Sequence, residues 1–314
     1  MRYFTSIALA IASNLLVGIP LVGIPIDATT PEGRGFSSAD AAAKALVTAA
    51  KSADVATLIA ILGPASKDIL TTSDPVADRQ IRRKFVARAA AKMKLVADSR
   101  EPNAKTLLVG KDEWPLPIPI VQVDGEWYFD VEQGKQEILT RRIGGNELDA
   151  IEVCRGYVEA QNDYAEKDRT GSGVLHYAQK IISSPGKHDG LYWSSSGPND
   201  ESPIGDLVAR AFAEGYTKGD PYHGYYFKIL TGQGTQASGG EMSYLHNGLM
   251  TKGFALIAWP SNYGSTGIMT FIVDKAGIVY QKDLGPKTPD IAAAYTAYAP
   301  DEMWAPVQAS DESR

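Results

Sequence analysis

The chain has 314 residues, and its 31 Lys plus Arg against 37 Asp plus Glu give a formal net charge of -6 at pH 7. A composition of 44% hydrophobic and 22% charged residues is typical of globular proteins and excludes collagen-like and wholly disordered classes. The net negative charge argues against nucleic-acid binding, which needs a large basic face. The one cysteine, Cys154, excludes an internal disulfide and a cysteine-based zinc cluster.

The first 26 residues have the order of a secretory signal peptide. Met1 and Arg2 form a short positive start, and the apolar run from Ile7 to Ile26 is broken by two glycines and two prolines. These breaks favour a cleaved signal over a membrane-spanning helix, which needs about 20 uninterrupted apolar residues. We therefore expect a periplasmic protein that keeps no membrane span after the signal is removed, with a linker at residues 27–35.

The following part of the chain, residues 36–145, is predicted to be an α+β module. Capping residues and helical periodicity predict three helices. The first runs from Ser37 or Ser38 to about Ala50, and the second covers residues 55–62. The third begins at Asp74 and has Met93 on its apolar face. Strands are predicted at residues 105–110, 118–123 and 126–131, with an Asp124-Gly125 turn joining the last two into a hairpin. A helix at about 133–143 closes the module.

A domain boundary is predicted at Gly144-Gly145-Asn146. The two glycines are expected to end one helix, and Asn146 to cap the next, with Glu147 and Asp149 in its first turn. Cys154 falls on the apolar stripe of the new helix, which indicates a small buried hydrophobe rather than a nucleophile.

The second predicted module covers residues 146–300, and a polar tail covers 301–314. It consists of a long helix followed by a helix at 204–215 and strands at 225–230, 254–259, 267–273 and 278–283. Helices and antiparallel strands in both modules give an α+β fold class.

The densest aromatic cluster of the chain runs from Tyr222 to Phe227 around His223. On a strand, Tyr222 and Tyr226 would share one face, where aromatic rings stack on sugar rings or on another protein. The residues predicted to form this binding surface are Tyr222, Tyr226, Trp193, Tyr192, Trp259 and Tyr263. The alternative is an ordinary aromatic sheet core with His223 hydrogen-bonded inside, and the sequence leaves both open.

No segment assembles a nucleophile, a base and an orienting acid. His223 and His246 are the candidate general acids or bases by residue type, with Glu241 or Asp220 as acidic partners by sequence proximity alone. Residues 168–173 have the outline of a calcium loop but supply one carboxylate and two hydroxyls, whereas calcium needs six to eight oxygens. We therefore expect no metal and no organic cofactor.

Several segments resemble the bacterial family catalogued as domain of unknown function 2950. They lie at residues 127–130, 141–148, 190–193, 221–227, 253–260, 267–274 and 277–285, and they cover nearly all of the mature chain in the same order. The resemblance implies an exported protein of Gram-negative bacteria, with no assigned activity. The order of helix, Gly-Tyr-Tyr-Phe, Ala-Trp-Pro and Val-Asp-Lys-Ala-Gly is also similar to the heads of type II secretion pseudopilins, which would imply a pilin-like head.

Three functions are compatible with these observations. The first is a non-catalytic envelope protein that binds a protein or glycan partner through the aromatic surface at Tyr222 and Tyr226. The second is an envelope hydrolase or transferase that uses His223 or His246. The third is a pilin-like assembly component.

Overall fold

The computed structural model describes residues 32–98, 101, 103–197 and 200–308. The predicted signal peptide and residues 309–314 of the predicted tail lie outside the described residues. Everything described belongs to one compact unit, Pro31–Arg314. Its sheets are antiparallel and its helices pack beside them, so the α+β fold class is confirmed. Among the described residues, no helix combines the length and apolar character needed to cross a membrane.

Four helices open the fold, and side-chain caps begin three of them. They are α1 (Ala39–Ser52), α2 (Val55–Leu62), α3 (Lys67–Leu70) and α4 (Pro75–Ala91). Ser38 accepts a hydrogen bond from the amide of Ala41, and Asp54 accepts one from the amide of Thr57. Asp74 caps α4 in the same way. These side chains satisfy the free amides of a first helical turn, which is why the capping pattern predicts the helix starts correctly.

A sheet of five strands follows, in the order β1-β2-β4-β5 with β3 beside β2. The strands are β1 (Met93–Ala97), β2 (Ala104–Val109), β3 (Trp114–Pro115), β4 (Ile120–Val123) and β5 (Glu126–Phe129). Asp124 and Gly125 both have positive φ, as the predicted two-residue hairpin turn requires. The prediction that Met93 extends a helix is wrong, because residues from Met93 onward pair in register with β2.

The predicted helix break at Gly144-Gly145 is wrong. One helix, α5 (Val131–Ala165), runs through both glycines for 35 residues, a length of about 52 Å. Asn146 does not cap a helix start, since its side chain donates to the carbonyl of Thr266 at 2.8 Å. Glu147 accepts hydrogen bonds from the amides of Ile268 and Met269. These contacts from distant residues hold the helix where glycine alone would weaken it.

The second half forms another antiparallel sheet of five strands, in the order β14-β13-β12-β11-β6. In chain order its elements are α6 (Gly205–Glu214), β6 (Tyr225–Leu230), β7 (Gly232–Gln233), β8 (Met242–Ser243), β9 (Leu245–His246), β10 (Leu249–Met250), β11 (Ala255–Pro260), β12 (Met269–Asp274), β13 (Tyr280–Asp283), α7 (Thr288–Ala294) and β14 (Ala305–Pro306). The four strands and the helix predicted here are confirmed within two residues at each end. β6 is an edge strand of the sheet.

The described residues contain two clusters of buried hydrophobic side chains. The first lies within residues 36–139 and the second within residues 150–307. α5 supplies Val131 to the first cluster and Cys154 to the second. Cys154 is fully buried as predicted, and burial raises the pKa of its thiol to about 12. The two-module division stays a prediction, with α5 running through the predicted boundary.

Candidate functional site

A cavity of about 600 Å³ lies against the edge strand β6. Its other walls include residues of α5, of α6, of the segment at 179–182 and of the loop at 216–220, and most of the lining side chains are apolar. The lining residues include Ile181, Leu207, Tyr222, Tyr226, Phe227 and Ile229. The cavity touches every residue from Tyr225 to Ile229. Successive strand residues point to opposite faces, so a cavity that meets all five runs along the strand edge.

The outer edge of β6 carries unpaired backbone groups. Tyr225 uses its N–H and C=O on Tyr222, at 3.1 and 2.8 Å, rather than on β11. The N–H and C=O of alternate strand residues point to the same side, so Phe227 and Ile229 also direct theirs away from β11. Within the described residues, β6 has β11 as its only strand neighbour, and no backbone hydrogen bond reaches the outer edge of these two residues. The strand therefore faces the cavity with free donors and acceptors.

Aromatic side chains line the cavity beside this edge. Tyr226 is 36% exposed, and its ring lies 5.8 Å from that of Trp259 on β11. Tyr222 is half-buried and stacks on His223, with ring centroids 4.2 Å apart. Two of the six predicted binding residues, Tyr222 and Tyr226, thus line the cavity, and a third, Trp259, contacts Tyr226 without lining it. Their binding role stays a prediction.

The other three predicted binding residues lie elsewhere. Trp193 is 6% exposed and donates its indole N–H to Asp200, so the prediction that it joins an exposed aromatic surface is wrong. Its ring packs in the core, where burial of a large aromatic is favoured. Tyr192 and Tyr263 are half-buried and do not line the cavity. The Tyr263 hydroxyl is hydrogen-bonded to Asp283.

His223 lies in a tight turn ahead of β6, so the alternation of faces considered for the cluster on a strand does not extend to it. His223 and Gly224 both have positive φ and connect Tyr222 to Tyr225 as a two-residue hairpin loop. Gly224 also allows a close approach, since a Cβ there would come within 2.6 Å of the Asn146 side chain. A glycine between two aromatic segments was the available sequence signal for this turn.

Two carboxylates hold the imidazole of His223. Nδ1 lies 2.5 Å from Asp149 Oδ2, and Nε2 lies 3.2 Å from Glu214 Oε2. His223 therefore pairs with neither Asp220 nor Glu241, and that prediction is wrong. Asp220 instead accepts hydrogen bonds from Thr217. Burial lowers the pKa of His223, but the hydrogen bonds and negative charges of Asp149 and Glu214 outweigh it and raise the pKa above its usual value.

This arrangement ties three elements together. Asp149 lies on α5, Glu214 ends α6 and His223 precedes β6, so a protonated His223 fixes α6 over the cavity. An imidazole with both nitrogens engaged by carboxylates is poorly placed to take a proton from a substrate. His246, the other candidate, is exposed on β9 and contacts Asn247 at 3.5 Å.

Asp74 forms a buried link that the sequence did not reveal. One carboxylate oxygen caps α4, while the other accepts from the hydroxyl of Tyr216 at 3.0 Å and from the amide of Gly224 at 2.9 Å. Burial and the charge of Asp74 raise the pKa of Tyr216, so its hydroxyl stays protonated as a donor. The partners lie more than 140 residues apart along the chain, and no local pattern joins them.

The described residues contain no group of three or more His, Cys, Asp or Glu side chains arranged to hold a metal ion. The segment with a calcium-loop outline is a turn, in which Asp168 accepts hydrogen bonds from the amides of Thr170, Ser172 and Gly173. Its carboxylate is thereby directed at the backbone of its own loop.

A family model described as "Protein of unknown function (DUF2950)" matches residues 33–307. The chain belongs to this family. The match confirms the family predicted from the sequence and spans every element from α1 to β14 of the DUF2950 fold. Neither a curated protein nor a solved structure matches the chain. The likeness to pseudopilin heads is not confirmed.

Proposed function

We propose that this DUF2950 protein is exported to the periplasm and there binds an extended segment of a partner protein, which adds as a strand beside β6. The observation that carries the proposal is the free outer edge of Phe227 and Ile229 alongside a 600 Å³ cavity. Export rests on the signal-like order of residues 1–26. The binding role rests on the geometry of the cleft.

Strand addition uses both features of the cleft. The free N–H and C=O groups of Phe227 and Ile229 would bond to the backbone of the added strand, which gives affinity without regard to sequence. Alternate side chains of that strand would enter the apolar cavity, which gives specificity. The volume lies within the range of about 300–1,000 Å³ that is common for ligand sites.

The lining favours an apolar segment over a strongly charged one. Two of the cavity's lysines already have partners, since Lys180 is paired with Asp189 and Lys228 donates to the carbonyls of Ala293 and Tyr295. The ring of Tyr226 offers a flat wall next to the free backbone groups. A glycan would stack on this ring but would leave the strand edge unused, so we favour a protein partner.

A proline substitution tests the strand edge directly. Ile229→Pro removes one outward amide while leaving the ladder to β11 intact, because the Ile229 amide does not face β11. Ile229→Val is the matched control that keeps the amide and a similar side chain. A photo-crosslinker at Tyr226 would report partner contact in the host periplasm, with a crosslinker at the distant and 74% exposed Met303 as the position control.

We expect the crosslinker at Tyr226 to capture one polypeptide reproducibly. Ile229→Val should leave the crosslinking yield unchanged, and Ile229→Pro should reduce it about tenfold, the equivalent of about 1.4 kcal/mol. Thermal melting of both variants would check that the fold is kept. Equal crosslinking by the proline variant would contradict strand addition. A crosslinked glycan in place of a polypeptide would contradict the protein partner.

A further inference from the structure

The helix α6, which forms one wall of the cleft beside β6, is held to the rest of the fold by few contacts. Leu207, Val208 and Ala211 line the cavity from this helix. None of the closely packed pairs of helices and strands in the described part of the chain includes α6. Among the described side chains of α6, Glu214 alone is hydrogen-bonded to another part of the fold, through its contact with His223. The position of this wall therefore depends on one link.

The chain directly after α6 allows the helix to move without disturbing its neighbours. Tyr216 is buried and donates its hydroxyl to Asp74 at 3.0 Å, which anchors the chain two residues beyond the end of the helix. Gly215 lies between this anchor and the helix, and it is exposed and has a φ of 100°. Because glycine has the widest backbone freedom of all residues, α6 can pivot at Gly215 while Tyr216 stays in place.

The link between Glu214 and His223 depends on a proton at both nitrogens of the imidazole. Nδ1 lies 2.5 Å from Asp149 and Nε2 lies 3.2 Å from Glu214, and an ionised carboxylate only accepts hydrogen bonds. A neutral imidazole has one N–H and one lone pair. Since the contact with Asp149 is the shorter of the two, we expect it to keep the remaining N–H. Glu214 then faces a lone pair, which repels its carboxylate.

The charge of Glu214 is unfavourable for α6 itself. Glu214 is the last residue of the helix, where the negative end of the helix dipole disfavours a carboxylate. A protonated His223 compensates this charge, and a neutral His223 does not. Loss of the proton therefore removes the hydrogen bond and also leaves an uncompensated negative charge at the end of the helix.

The other charged and titratable groups around His223 do not replace this control. Those that face it or the rings beside it are Asp149 on α5, Glu214 and Arg210 on α6, Tyr216 and Tyr222 beside the cavity, and Asp74 at the start of α4. Carboxyl, phenol and guanidinium groups ordinarily titrate outside the range from about pH 5.5 to about pH 8.5. Burial lowers the pKa of His223, but its two carboxylate partners outweigh burial and raise the pKa above its usual value. His223 is therefore the group in this set that changes its charge within that range.

We propose that the proton on His223 controls the cleft: the protonated imidazole holds α6 over the cavity, and loss of this proton to water lets the helix pivot away and weakens partner binding. The effect on binding rests on the proposed function, since the ligand is the strand added beside β6. Binding is tighter in the protonated state because the apolar side chains of α6 are then already in place, and the partner does not have to order the helix.

Hydrogen exchange of the purified full chain tests the movement of α6 without any partner. A helix of 10 residues is marginal on its own in water, so its release from the fold should expose its amides to exchange. Protection factors correct for the effect of pH on the intrinsic exchange rate. We expect those of α6 to fall at least about threefold from pH 5.5 to pH 8.5. Protection in α6 that does not change with pH would overturn the proposal.

Variants at both ends of the link show whether His223 is the cause. His223→Gln should remove the pH dependence of α6 protection, whereas His246→Gln, the same change at an exposed histidine on β9, should keep it. Glu214→Gln should lower the protection of α6 at pH 5.5, and Glu241→Gln, an equal charge change at an exposed position, should not. A pH dependence that persists in His223→Gln would overturn the proposal.

Crosslinking from Tyr226 tests whether the movement regulates binding. In a periplasmic extract of the host, the yield of captured polypeptide should be at least about threefold lower at pH 8.5 than at pH 5.5. In His223→Gln the yield should be independent of pH. A pH-independent yield in the wild type would overturn the regulation of binding and leave strand addition intact. Absence of any captured polypeptide at both pH values would contradict strand addition itself, while the exchange experiment would still decide the movement of α6.

Discussion

Replacing Gly144 or Gly145 by alanine should stabilise the protein. Both glycines lie inside α5 with negative φ, and a Cβ added at either position would meet nothing within 4 Å. Glycine in a helix interior costs about 1 kcal/mol relative to alanine, because its unfolded backbone has more freedom to lose. Each substitution should therefore raise the free energy of unfolding by about 1 kcal/mol, and the double variant by about 2 kcal/mol.

Urea unfolding followed by circular dichroism measures this change. The midpoint should rise with an unchanged denaturant slope, and the melting temperature should rise by about 2 °C for each substitution. Gly134 is the matched control in the same helix, since a Cβ there would lie 2.8 Å from the Cα of Ile118. Gly134→Ala should destabilise the protein by about 1–3 kcal/mol through overpacking.

The outcome discriminates between a continuous and a broken helix. If the chain adopted the left-handed turn at Gly144 or Gly145 that ends a helix, alanine there would be strained and would lower stability. Loss of stability in Gly144→Ala and Gly145→Ala would thus refute the continuous helix and restore the boundary that the sequence pattern predicts.

Three further predictions concern single side chains. Asp74→Ala should lower the free energy of unfolding by about 3 kcal/mol, since it removes a helix cap and the acceptor of two buried donors; the exposed cap variant Asp54→Ala should lower it less in the same urea titration. The pKa of His223 is raised in the folded state, so its stabilising effect is present below its unfolded pKa and lost as pH rises through the folded value. The free energy of unfolding of the wild type should therefore exceed that of His223→Gln by a larger amount at about pH 5.5 than at about pH 8.5. A difference that does not change with pH would contradict a charged link from His223 to Asp149 and Glu214. Because burial raises the pKa of Cys154 to about 12, its thiol should resist a disulfide reagent in the native protein and react once urea unfolds the chain; rapid native reaction would contradict its burial.

Local patterns in the sequence predicted the elements that local physics controls. The caps at Ser38, Asp54 and Asp74 fix helix starts because each side chain satisfies amides within three residues of itself. The Asp124-Gly125 turn likewise determines a hairpin locally, because its two residues adopt the positive φ values that a two-residue turn needs. Apolar periodicity placed Cys154 in the core, since a helix buries the face on which its hydrophobic residues recur.

The candidate site was predicted only in part. Tyr226 lies against Trp259, because strand pairing sets the two residues opposite each other, and Tyr222 lines the same cavity as Tyr226. The sequence did not show that β6 is an edge strand, since strand order depends on pairings between segments far apart in the chain. It also did not show the cavity, which exists only where α6 and the segment at 179–182 face that edge.

The sequence by itself determined the fold class, the family, the helix caps and the hairpin turns, because these depend on residues close together in the chain or on a pattern along its whole length. Tertiary structure alone decided the continuity of α5, where contacts of Asn146 and Glu147 with residues 266–269 prevail over the helix-breaking tendency of two glycines. It also decided that His223 has Asp149 and Glu214 as its hydrogen-bond partners. A charged side chain takes the partner that folding brings within hydrogen-bond distance, and distance along the sequence does not encode that choice.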